Sequence, residues 1–207
     1  MLLLPLMLGK SGSETKSTRR PRIVVIPGAF HHHVKPAREE IESSNLIGGF
    51  SAVKQYDNFR ELVKPYFYSK CTCRFLPVYP VAYQRHLLIS AVFLVMLVRE
   101  LAARLPSSEI IISAANPGLC HSDMRNNAPF VRRIRLAIFC FFFARQAEVG
   151  ARQITWAAVA RPHCEERLHG RYVSDMEIKE ESDFAMSTEG FEVQQKLWVN
   201  ILCELRP

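Results

Sequence analysis

The chain has 207 residues, 48% of them hydrophobic and 23% charged, which is a globular composition with enough apolar residues for one domain's core. A formal charge of +7 would favour anionic partners, but no nucleic-acid-binding signature accompanies it, so no nucleic-acid partner is expected. Six cysteines are too sparse for a disulfide scaffold and point to a reducing, cytoplasmic setting.

At the front, Met1–Leu8 is apolar but lacks a basic flank and a small-residue cleavage site, so it reads as the end of a buried helix rather than a signal peptide. Lys10–Arg20 is polar and of low complexity. Arg22–Pro27 is a short β-branched run closed by Pro27-Gly28, the pattern of a strand buried on both faces. Ala91–Arg104 is rich in Leu, Val, Met and Ala and stops before Pro106, as a helix would. Ser107–Asn116, with Ile110 to Ile112 at its centre, predicts a second buried strand, again ended by Pro-Gly at Pro117-Gly118. Strand, helix and strand in this order make the crossover unit of a parallel sheet, whose ligands sit beyond the carboxyl ends of the strands. Farther on, Ala147–Ala160 predicts a helix and Arg171–Val173 a short strand. Glu189–Leu205 predicts a C-terminal helix with Phe191, Val193, Leu197, Trp198, Ile201 and Leu205 largely on one face, capped in the region of Ser187. The apolar runs Leu87–Val98 and Leu136–Ala144 are shorter than the ~20 residues a membrane-spanning helix needs.

Two motifs carry chemistry. Tyr66 and Lys70 stand four apart on a predicted helix, where they share a face, while Tyr68 and Lys70 do not. Asn116-Pro117-Gly118-Leu119 leads through Cys120 and His121 to Ser122 directly after the second strand. In this order, and with Val98–Pro106, Glu148–Arg152 and the stretch from His169 to Asp175 around them, these residues resemble the short-chain dehydrogenase/reductase family, in particular its fungal, retinol-dehydrogenase-like members. The resemblance implies an α/β fold: an incomplete, Rossmann-like, doubly wound parallel sheet, with residues 1–207 as one partial NAD(P)-binding domain and an atypical insertion at 71–90, where Pro77 and Pro80 would break a helix.

It further implies an oxidoreductase that uses NAD or NADP on an alcohol or carbonyl of a small apolar substrate. Tyr66 would be the catalytic acid/base and Lys70 would lower its pKa and hold the nicotinamide ribose. The backbone at Pro117, Gly118 and Leu119 would pass the nicotinamide, with Ser122 at its carboxamide. Set against the family pattern, none of the nine glycines forms the Gly-rich phosphate fingerprint, and Pro27 and Gly28 occupy the place of the catalytic serine. A non-catalytic protein that binds a partner through an exposed sheet edge is the alternative expectation.

Other clusters take plainer readings. Cys71, Cys73, His86 and the run His31–His33 lack zinc-site spacing, so no metal is expected. Arg132, Arg133 and Arg135 followed by Leu136–Phe143 read first as a substrate-side helix with its apolar face on the core, and second as a peripheral contact of residues 132–143 with a membrane surface. The acidic residues Asp175, Glu177, Glu180, Glu181 and Asp183 read as a solvated loop.

Overall fold

The computed structural model describes residues 20–42, 45–46, 81–121, 130–159 and 162–204. The expectations for Met1–Leu8, Tyr66, Lys70, residues 71–80 and Ser122 lie outside the described residues.

The sheet has four strands in the order β1 (Arg22–Val25), β2 (Ile111–Asn116), β3 (Tyr172–Ser174) and β4 (Glu177–Lys179). β1 and β2 run parallel with Arg22 opposite Ile111 and Val25 opposite Ala114. β3 is parallel to the other edge of β2, and β4 turns back antiparallel on β3. The β3–β4 turn is a two-residue loop with Asp175 at φ 56° and Met176 at φ 60°, the backbone that matches the right-handed twist of a hairpin. Asp175 offsets the strain of that conformation by donating its N–H to Gln153 Oε1 at 2.9 Å and by accepting from Arg145 and Lys179.

All six residues of β2 are buried, because helices cover both faces of the sheet. On one face lies α2 (Val81–Arg104), which follows the short helix α1 (Arg38–Glu42); Val98 of α2 packs with Ile110, Ile112, Ala114 and Tyr172. On the other face Ile111, Leu168 and Val173 form a second core with Trp156, supplied by α4 (Ala147–Val159) and α5 (Pro162–Leu168). Alternate residues of β2 thus serve opposite layers, as the two-residue period of a strand requires. This is an α/β architecture of partial Rossmann-like form.

A third core joins α2 to the C-terminal helices α6 (Asp183–Met186) and α7 (Thr188–Glu204) through Leu46, Val92, Met96, Phe184, Val193 and Leu197. Its polar counterpart is Glu100, whose buried carboxylate accepts from Arg104 of its own helix and from Gln194 and Gln195 of α7. Ser187 caps α7 by accepting from Gly190 N at 3.0 Å, as its place in the sequence predicts.

Helix α2 starts ten residues before the expected Ala91 and takes in the second half of the 71–90 stretch. Pro77 and Pro80 lie outside the described residues, and nothing from Val81 to Arg104 breaks the helix. Its far end is closed by His169, whose Nε2 lies 2.9 Å from Ala102 O and 3.0 Å from Leu105 O while Nδ1 accepts from Ile112 N at 3.4 Å. These partners place the ring N–H at Nε2, facing the two carbonyls.

Between β2 and α4 runs α3 (Phe130–Phe143). Of its described side chains Cys140 is buried, whereas Ile134, Ala137, Ile138, Phe141, Phe142 and Phe143 are exposed. The expected apolar face on the core is therefore corrected for these residues: the core faces inward at Cys140 and the aromatic stripe faces outward.

Candidate functional site

The carboxyl ends of β1, β2 and β3 form one rim. β1 leads through Ile26 and buried Pro27 to Gly28, and β2 ends at Asn116 before Pro117 and Gly118. Gly28 and Gly118 have φ of 70° and 77°, left-handed values at which a side chain would be strained. These two residues let the chain turn sharply off the sheet and leave backbone at the rim.

Asn116 ties the rim together. Its Oδ1 accepts from Gly118 N at 2.9 Å, closing the turn, and its Nδ2 donates to Ser174 Oγ at 3.1 Å. The β2 loop then rests on α4: a Cβ on Gly150 would lie 2.3 Å from Cys120 Sγ and 3.1 Å from Pro117 O, so only a glycine admits this approach. Arg145 N donates to Leu119 O at 2.8 Å and His121 N to Arg145 O at 3.0 Å, which fixes both chain segments beside the rim. The Arg145 guanidinium reaches Asp175 Oδ1 at 2.7 Å, and that hydrogen bond, with Lys179 beyond it, holds the Asp175 carboxyl below the usual carboxylate range. Asp175 therefore is not simply solvated loop, and Glu181 of the same acidic run is buried.

Two ionisable rings underlie β1. Tyr172 donates its hydroxyl to Gly28 O at 3.3 Å, and burial pushes its pKa up to about 12. His31, in the 3-10 turn Phe30–His33, is fully buried with its ring edge-on to Tyr172 at 4.4 Å and Nδ1 3.1 Å from Gly28 O. Burial, then the neighbouring His32, lowers its pKa to about 4. Neither group suits proton transfer near neutral pH: Tyr172 holds its proton and His31 refuses a second one. Both are struts that fix the Gly28 turn.

His31 makes folding pH-dependent. Its pKa falls from 6.5 in the unfolded chain to about 4 in the folded one, so the unfolded chain takes up the proton first as the pH drops. Stability is complete above pH 6.5 and lost progressively toward pH 4, by about 3 kcal/mol. Burial lowers the pKa of His32 in the same direction. Urea midpoints at about pH 7 and about pH 4.5 should converge in His31→Phe relative to the parent chain; an identical pH slope in both would refute the assignment.

Of the six residues expected at the site, the rim contains Pro117, Gly118 and exposed Leu119, while Tyr66, Lys70 and Ser122 lie outside the described residues. Sequence reasoning missed Asn116 with Ser174, Arg145 with Asp175, and the His31–Tyr172 pair. An Asn directly before Pro-Gly is a signal for the turn it closes; the other pairs join distant residues and leave no local trace. Among the described residues no group of three or more His, Cys, Asp or Glu is placed to hold a metal.

Known proteins resemble the chain over about half its length. A short chain dehydrogenase/reductase of Cryptosporiopsis sp. is 36% identical over 119 residues, covering 56% of this chain and 35% of that protein. A short chain dehydrogenase of Penicillium terrestre is 32% identical over 117 residues, 56% of this chain and 34% of its own. A short-chain dehydrogenase/reductase of Talaromyces stipitatus is 33% identical over 107 residues, 51% and 31% respectively. The chain thus spans about a third of the length of the curated relatives it matches. No protein-family profile and no solved structure matches it.

Proposed function

We propose, from its similarity to short-chain dehydrogenases/reductases, that the chain is a member of that family and part of an NAD(P)-dependent oxidoreductase acting on an alcohol or carbonyl of a small apolar molecule. The observation that carries this reading is the rim itself. Two parallel strands end side by side in glycine turns of left-handed φ, at the edge where sheets of this kind receive their ligands.

The described residues fit the nicotinamide end of such a cofactor. Gly118, held in its left-handed turn by Asn116, leaves backbone at the rim beside the Arg145 guanidinium, where a flat ring would pass. Pro117, Gly118 and Leu119 would line it, and Ser122 would hold its carboxamide. When bound, the nicotinamide gives or takes the hydride. The chain's own part is the proton: Tyr66 exchanges it at its hydroxyl, and the Lys70 ammonium favours the phenolate of a group whose unperturbed pKa is ~10. In this reading residues 1–207 belong to one domain.

The test is a fluorescence titration of the purified chain with NADPH and with NADH. Saturable binding is expected, weakened about tenfold or more by Lys70→Ala through the loss of a charge-assisted hydrogen bond. Tyr66→Phe should retain binding while slowing turnover by about a hundredfold or more. A folded chain that binds neither nucleotide would defeat the proposal. It would favour instead a binding role for β1, whose four residues are only half-buried and which, among the described residues, pairs on one side.

A further inference from the structure

We propose that α3 docks the protein on anionic membrane surfaces, lying flat with its aromatic stripe in the headgroup layer. At about 3.6 residues per turn, positions 134, 137, 138, 141 and 142 share one side of the helix. All five are exposed, with Phe141 and Phe142 at 78% and 71%, and their rings meet edge to face at 5.2 Å. Buried Cys140 lies off this stripe, on another side of the helix. Soluble proteins rarely leave such a contiguous patch in water.

Charge selects the occupant. Helix position 135, next to the stripe, is an arginine; Arg132 and Arg133 add two further positive charges, and Phe130–Phe143 contains no acidic residue. The whole chain carries +7. A second copy packed face to face would set two helices that carry only positive charges against each other, and a two-fold contact is self-complementary only when its charges are. An anionic lipid surface matches both the stripe and its border. With 14 residues α3 is too short to span a bilayer, and no described helix is long and apolar enough to do so. The helix ends beside Arg145 and the rim, so docking would bring the strand ends close to the lipid. The inference rests on α3 alone and stands whether or not the chain binds a nucleotide.

The test is sedimentation of the full chain with vesicles of phosphatidylcholine alone and with about 30% phosphatidylserine. Binding is expected with phosphatidylserine and should weaken steeply as salt rises. Phe141→Ser combined with Phe142→Ser should lower the partition about tenfold or more, with an unchanged urea midpoint because both side chains are exposed. Arg132→Gln with Arg133→Gln should lower binding to the anionic vesicles, whereas Arg152→Gln with Arg167→Gln, which removes the same charge elsewhere, should lower it much less. No partition, an equal loss in the two arginine pairs, or undiminished binding of the phenylalanine variant would overturn the proposal. Self-association without lipid that the phenylalanine variant abolishes would also overturn it, and would make this face an interface between copies.

Discussion

Gly190→Ala is expected to destabilise the protein by about 3 kcal/mol or more, although helix propensity alone predicts a gain of about 1 kcal/mol for the same change. Packing decides the sign. Gly190 lies in the first turn of α7, where the chain turns sharply out of α6. A Cβ there would stand 1.9 Å from Phe184 O, 2.9 Å from Phe184 C and 3.3 Å from Ala185 Cα. These are backbone atoms of α6, which no rotamer change can move aside. The corner is also bonded on both sides: Ser187 Oγ donates to Phe184 O at 2.7 Å while it caps α7, and Ser182 caps α6 at Ala185 N. To admit the methyl group α6 must lift from α7, drawing Phe184 away from Val92, Met96, Val193 and Leu197. Thermal unfolding should show a midpoint roughly 10 °C lower. An unchanged or higher midpoint would mean that the corner yields cheaply and that the close packing at Gly190 is not needed.

What the sequence discloses of the fold follows the strength of the local signal. β1 and β2 are legible because β-branched runs end in Pro-Gly, and α7 because its apolar residues keep helical spacing after a capping serine. α2 is legible in its apolar half only. Val81–Ser90 mixes Tyr83, Gln84, Arg85 and His86 with few periodic apolar residues, and Pro77 and Pro80 in the sequence suggest a break close to where the helix is already formed at Val81. β4 and α6 leave no trace. β4 is a three-residue segment, exposed throughout, that exists because Asp175 and Met176 form the hairpin turn without the Asn-Gly pair that announces it. α6 has four residues and is set by its capping serine and by Phe184 in the core.

At the site the same rule holds. The rim is legible because Pro117-Gly118 is both a turn signal and a family motif. The three consecutive histidines read alike in sequence, yet the structure buries His31 and exposes His32 and His33. A 3-10 turn has three residues per turn and sends successive side chains in different directions. Which of them is buried against Tyr172 depends on where β3 lies, 141 residues from His31 in the chain, and no local pattern encodes that.

Glu165→Gln is the second substitution with a large expected effect, a loss of about 3–5 kcal/mol. Glu165 lies on α5 with its side chain 4% exposed, and Arg22, which opens β1, is 9% exposed. Arg22 Nη2 donates to Glu165 Oε1 and its Nη1 to Ala157 O at 3.3 Å, while Arg20 Nε stands 3.5 Å from Glu165 Oε2. The carboxylate therefore clamps β1 to α4 and α5 across the sheet face. Glutamine keeps the shape and deletes the charge, so the substitution separates electrostatics from packing: the Arg22 guanidinium loses the negative charge that balances it in a place with little water. The same physics predicts that Arg22→Met combined with Glu165→Met costs far less than the single change, because no buried charge then needs balancing. Urea denaturation of Arg22→Met, Glu165→Met and the double variant closes the cycle. If Glu165→Gln alone costs under about 1 kcal/mol, the pair behaves as an exposed one, and the hold on β1 must come from its register with β2. If the double variant recovers most of the loss, the ion pair serves mainly to fix where β1 sits, and hence where the Gly28 turn meets the rim.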